Sequence, residues 1–137
     1  VQAQRRSGEV LLLSTIVGAL IAAVLYINEF PDLAADRAVG KKTLVVALGR
    51  KRAVWGYVAL IVCAYIMLLV GILARTLPYT SALVFLSLPL AFHAMRGAMR
   101  FYDDIPRLLP TNAATIRLHL AVGILLMLGY LSERFSV

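Results

Sequence analysis

The chain has 137 residues, 61% of them hydrophobic, with a mean hydropathy of +0.86 and a formal net charge of +7. That length holds one domain, and the apolar share stands well above that of an ordinary soluble domain, so the chain is read as a membrane protein. The positive charge does not mark a nucleic-acid partner, because the basic residues lie between apolar runs rather than on one solvated face.

Residues 1–8 form a polar lead-in without an initiator Met, as in a processed or excised fragment. A first span of about Glu9 to Ile27 follows, with Gly18, Ala19, Ala22 and Ala23 to let helices approach closely in lipid. Arg5 and Arg6 would suit the flank of a cleaved leader, but no small-residue cleavage site follows the run. The next stretch, from Ile27 to Gly49, reads INEFPDLAADRAVGKKTLVVALG. Asn28, Asp32 and Asp36 recur there every four residues. On a helix each such step rotates the side chain by roughly 40° and rises roughly 6 Å, giving a slowly turning stripe of oxygen ligands. Pro31 removes one backbone bond, which predicts a kink or restart near Glu29. The freed carbonyls call for a polar cavity rather than lipid; a plain helix end at the membrane surface is the alternative.

A second span runs from about Ala53 to Leu73, with Trp55 and Tyr57 at its interfacial start. Arg75 and Pro78 close a short turn. The third span, about Tyr79 to Met95, contains Pro89 and ends near His93. A basic loop from Arg96 to Arg117 leads to the fourth, about Ile116 to Leu131. The predicted fold class is therefore all-α, a polytopic transmembrane bundle of four helices. Cys63, the only cysteine, permits no internal disulfide. Arg37, Lys41, Lys42, Arg50, Lys51, Arg52, Arg96, Arg100, Arg107 and Arg117 lie on one side of the membrane, ten of the fourteen basic residues. Arg5, Arg6, Arg75 and Arg134 lie on the other. The positive-inside rule then places the Asp stripe in the cytoplasm, in a multi-pass protein of the cell (inner) membrane.

Carboxylates beside cations at the mouth of a membrane helix suit a Mg²⁺–diphosphate site. Asp32 and Asp36 are the candidate catalytic metal ligands, with Asn28 as a neutral third. Arg37, Lys41 and Lys42 are the candidate diphosphate contacts. Spacing alone fits a solvated helix terminus as well. Arg50, Lys51 and Arg52 read as topogenic, lipid-facing charges. Asp103 and Asp104 point about 100° apart on a helix and read as loop acids balanced by Arg100 and Arg107. His93 and His119 read as buried, hydrogen-bonded neutral histidines, and Tyr26 as a packing residue or a ring beside a developing cation.

Read whole, NxxxDxxxDRxxGKKTL (Asn28 to Leu44) resembles the second aspartate-rich motif of UbiA-superfamily membrane prenyltransferases. It is most similar to the branch that prenylates 1,4-dihydroxy-2-naphthoate in menaquinone synthesis. Pro110 to Leu126, PTNAATIRLHLAVGILL, resembles the last loop and helix of that family. The resemblance implies Mg²⁺-dependent transfer of a polyprenyl group from polyprenyl diphosphate to an aromatic acceptor within the lipid bilayer. It covers the C-terminal half of such an enzyme only. The family's first Asp-rich motif has no counterpart here, so an N-terminal half or a partner chain would have to carry it. The 137-residue chain alone is then expected to be inactive. Two rivals are a non-catalytic membrane module, binding isoprenoid diphosphate or completing a split enzyme, and an ion carrier using intramembrane carboxylates. The carrier is disfavoured because Asp32 and Asp36 fall at the end of a span.

Overall fold

The computed structural model describes the backbone of residues 2–135 and the side chains of residues 7–133 and 135; Arg5, Arg6 and Arg134, assigned above to the less basic side, have side chains outside the described set. Five α-helices account for most of it: α1 Gln2–Ala38, the short α2 Leu44–Leu48, α3 Arg50–Leu73, α4 Leu88–Phe101 and α5 Ile105–Phe135. A 3₁₀ segment, Tyr79–Ser87, runs directly into α4. Four stretches are long and apolar enough to cross a membrane: Ser7–Ala38, Arg50–Leu73, Tyr79–Phe101 and Ile105–Glu133.

The spans are longer than their apolar runs suggested, and the difference falls at the polar ends. The lead-in is already helical at Gln2, and α1 runs unbroken through Pro31 to Ala38. The expected restart near Glu29 is absent. Pro31 costs a single bond, to the Ile27 carbonyl, while buried Ile27 and Phe30 before it and Leu33 after it pack the helix into the bundle. The basic loop drawn from Arg96 to Arg117 is mostly helix, reduced to a turn between Phe101 and Ile105. Asp104 caps α5, its Oδ1 accepting from the Arg107 N–H at 3.3 Å. Pro89 lies inside the third span as expected, in the first turn of α4 where the 3₁₀ segment passes into it, a position that tolerates proline.

Both long turns are closed by the same backbone device. After α1, the Gly40 N–H bonds the Arg37 carbonyl at 3.1 Å and the Lys41 N–H bonds the Asp36 carbonyl at 2.9 Å. This is a Schellman closure, and it requires the left-handed φ of +71° at Gly40. After α3, Arg75 and Thr76 bond back to Ile72 and Gly71 in the same pattern, with Arg75 at φ +55°.

The four spans form a closed ring. α1 packs on α3 and α5, and the 3₁₀–α4 unit packs on the same two helices from the other side. Buried residues recur at alternating three- and four-residue steps, the seam expected of helices crossing at a shallow angle. They are Ile16, Leu20, Ala23, Ile27 and Phe30 on α1; Tyr57, Ile61, Ala64 and Leu68 on α3; and Leu108, Thr111, Thr115, Leu118 and Val122 on α5. Only 28–33% of each apolar stretch is buried within the chain, so most of its apolar surface faces outward, as lipid or further helices require. Polar pairs cross the seams. Tyr57 Oη and Thr115 Oγ1 lie 2.7 Å apart between α3 and α5, and Tyr65 joins Ser87 between α3 and the 3₁₀ segment. At the far end of the bundle Tyr130 donates to Glu9.

α5 passes so close to the 3₁₀ backbone that a Cβ on Gly129 would meet the Thr80 carbonyl oxygen at 2.7 Å. Backbone cannot step aside as a side chain can. Gly129→Ala is expected to destabilise the bundle by about 1–3 kcal/mol. Gly123→Ala, with open space around its Cβ, is expected to be neutral or stabilising by up to about 1 kcal/mol. Thermal unfolding of both variants in the same detergent checks the contrast.

Candidate functional site

Antiparallel threading gathers one set of helix ends: the last turns of α1, all of α2, the start of α3, the end of α4 and the start of α5. The predicted stripe lies here, on the last three turns of α1 rather than beyond a span. It rotates as helical geometry demands. Asn28 and Asp32 are exposed, whereas Asp36, two turns on, is only 8% exposed.

Each member has different company. Asn28 Oδ1 accepts from Asn112 Nδ2 of α5 at 2.8 Å. Asp36 Oδ1 lies 3.2 Å from Lys41 Nζ. The Schellman closure brings that pair together: it stacks the residue just past the turn onto the one in the last helical turn, a place usually filled by an apolar contact. Asp36 Oδ2 is shut off from solvent with no partner. Among the described residues, the side chains of Asp32, Arg37 and Lys42 have no hydrogen bond or ion pair and remain available. Thr43 caps α2 by accepting from the Val46 N–H at 3.2 Å, which holds the Gly40–Thr43 turn against α1.

Arg50 departs from its expected role. It is not a lipid-facing charge: its side chain is 19% exposed, its Nε donates to the Phe30 carbonyl at 2.9 Å, and its guanidinium pairs with Asp103 at 3.2 Å. The carbonyl it holds is that of the Phe30–Pro31 peptide. Arg50 thus clamps the proline turn of α1 to the α4–α5 turn. Asp103 is paired with Arg50 rather than Arg100, while Asp104 does pair with Arg107, at 3.4 Å. Tyr26 packs, edge-on to Phe30 with ring centroids 6.1 Å apart and its hydroxyl over Gly56 of α3. The histidines do not behave as expected. His93 is exposed, and His119 is half-buried with an Nδ1 that has no partner.

Asn112 and Arg50 are the two residues that reading the chain did not place at the site. The only signals were an amide inside an apolar run and a basic residue next to Gly49; their partners lie 84 and 20 residues away.

The donor set suits a divalent cation. Among the described residues no three of His, Cys, Asp and Glu form a metal cage. Yet a Mg²⁺-type ion usually takes one or two carboxylates and completes its octahedron with water and phosphate oxygens. Asp32 and Asp36 supply that many, and Asp36 Oδ2 is a buried acceptor lacking a partner. Three cations at the end of the stripe could meet an anionic leaving group. The site is an open face. A cavity of about 780 Å³ opens instead at the opposite end, lined by Gly8, Glu9, Arg75, Tyr79 and Glu133. It carries none of the stripe.

Comparison with known proteins shows the family. Residues 1–116 match the model of the UbiA prenyltransferase family. The chain is 29% identical over 129 residues to a 2-carboxy-1,4-naphthoquinone phytyltransferase of Synechocystis sp., covering 94% of this chain and 42% of that protein. It is 32% identical over 129 residues to the chloroplastic enzyme of that name from Arabidopsis thaliana, covering 93% and 34%. It is 26% identical over 136 residues to a 1,4-dihydroxy-2-naphthoate octaprenyltransferase of Bacillus subtilis, covering 98% and 43%. The chain therefore spans less than half the length of these relatives. No solved structure matches it. With four membrane-spanning helices, the aspartate stripe at one end and a family match over most of its length, the chain belongs to the UbiA prenyltransferase family.

Proposed function

We propose that this chain is the diphosphate-binding portion of a membrane prenyltransferase that moves a polyprenyl group from its diphosphate to an aromatic acceptor. The acceptor class is a naphthoate such as 1,4-dihydroxy-2-naphthoate, the compound named for the Bacillus subtilis relative. The observation that carries this reading is the stripe itself: two carboxylates and an amide on the last turns of a membrane helix, with Arg37, Lys41 and Lys42 at its end.

The roles follow from the chemistry. Breaking the carbon–oxygen bond of an allylic diphosphate builds negative charge on the departing phosphate oxygens and positive charge on the allylic carbon. Arg37, Lys41 and Lys42 would hold the phosphate oxygens, and Lys41 could exchange its Asp36 partner for a phosphate without leaving the site. Asp32 and Asp36, with Asn28, would hold Mg²⁺, which when bound neutralises diphosphate charge and makes it a better leaving group. The apolar bundle would keep water from the allylic cation until the electron-rich ring attacks. The stripe would face the cytoplasm in the cell membrane, because the same end carries Lys51, Arg52, Arg96, Arg100 and Arg107; Arg117, expected in a loop on that side, instead lies midway along α5. The family's first aspartate-rich motif, carried by an N-terminal half or a partner chain, would complete the site.

In membranes containing this chain within its full reading frame, Asp32→Asn and Asp36→Asn are each expected to lower transfer of a radiolabelled prenyl group by about 10²–10³-fold. Lys51→Gln, outside the stripe, is expected to stay within about twofold. Retention of full activity by both Asp variants would refute the assignment. The 137-residue chain by itself is expected to show no Mg²⁺-dependent transfer in proteoliposomes, and robust turnover would mean that half a site suffices.

A further inference from the structure

One turn of α5, from Thr111 to Thr115, touches all three of the other spans. Thr111 is buried against Gly97 of α4, where its Oγ1 fills the place a Cβ would take. Thr115 Oγ1 lies 2.7 Å from Tyr57 Oη of α3 and donates to the Thr111 carbonyl. Asn112, between them, donates its Nδ2–H to Asn28 Oδ1 of α1 at 2.8 Å. Anchors on both sides hold the α5 backbone still, so Asn112 reaches α1 from a fixed base. Its own Oδ1 is buried with no partner. Burying an amide oxygen unpaired costs stability, and that cost would be avoided by an apolar residue here. What the asparagine adds is a hydrogen-bond donor against the first oxygen of the stripe.

We propose that Asn112 is a positioning residue for the cation-binding turn of α1. A carboxamide has two unlike ends. By donating to Asn28 Oδ1, Asn112 fixes which end of Asn28 is oxygen and where that oxygen stands, leaving a second lone pair for a divalent cation or its water. Groups that orient a metal ligand in this way commonly carry a 10- to 100-fold share of metal affinity. The inference rests on the reading of Asn28, Asp32 and Asp36 as a cation site.

The test uses the full-length enzyme in nanodiscs with a non-hydrolysable prenyl diphosphate analogue, and reads Mn²⁺ binding by electron paramagnetic resonance. Asn112→Leu keeps the volume and removes the donor. Asn112→Asp keeps the shape and sets a carboxylate oxygen against Asn28 Oδ1. Both are expected to weaken Mn²⁺ binding by about 10- to 100-fold. Turnover at saturating metal should return to within about threefold of wild type, and the metal-free thermal midpoint should stay near that of wild type. Unchanged Mn²⁺ binding in both variants, whether or not the thermal midpoint falls, overturns the proposal and leaves Asn112 as a packing contact. Asp32→Asn, measured alongside, separates the two levels: if it too leaves Mn²⁺ binding untouched, the cation-site reading fails with it.

Discussion

Lipid offers no hydrogen bonds, so each helix must satisfy its own backbone and each interior polar side chain must find a partner on a neighbouring helix. That constraint organises this chain. The seams between helices are apolar and regular, but they are crossed by Tyr57 with Thr115, Tyr65 with Ser87, Asn28 with Asn112, and Arg50 with the Phe30 carbonyl. Two of them join helices far apart in the sequence, Tyr57 with Thr115 and Asn28 with Asn112, and each of the four ties down rotation about a helix axis, which apolar packing alone specifies weakly. The stripe on α1 inherits its orientation from two of them, one from α5 and one from α3.

The Asp36–Lys41 pair shows how local backbone rules set side-chain geometry. A membrane helix that ends in a Schellman closure places the residue after its glycine over the residue in its last turn. With Asp at the first position and Lys at the second, the closure assembles a carboxylate and an ammonium with no tertiary help. Lys41 remains largely solvent-exposed, so the pair contributes little to stability. It keeps a cation where an anionic ligand would arrive.

The architecture was largely legible in the residues. Hydropathy located four spans, and four-residue spacing located the stripe, because both are periodic properties of a single segment. The ends of the spans were not. Arg96 to Arg117 contains enough charge and proline to read as a loop, yet Asp104 caps a helix there and the two prolines, Pro106 and Pro110, are absorbed in its opening turns. Pro31 does not restart the helix for a similar reason: the loss of one hydrogen bond is a local signal and the packing that offsets it is not. Arg50 and Asn112 were out of reach for a different reason: their roles depend on which helices become neighbours. The naphthoate branch was suggested only by the complete string from Asn28 to Leu44, and the relatives carry names of that kind.

The account depends on a divalent cation and a diphosphate meeting at the last turns of α1. The direct measurement is a structure of the full-length enzyme in nanodiscs with Mn²⁺ and a prenyl thiodiphosphate, with the metal located by its anomalous or map density. A metal peak within coordinating distance of an Asp32 or Asp36 oxygen, about 2.0–2.6 Å, with phosphate oxygens beside Arg37, Lys41 or Lys42, is the predicted result. Metal and diphosphate bound away from α1, with the stripe still solvated, would contradict it.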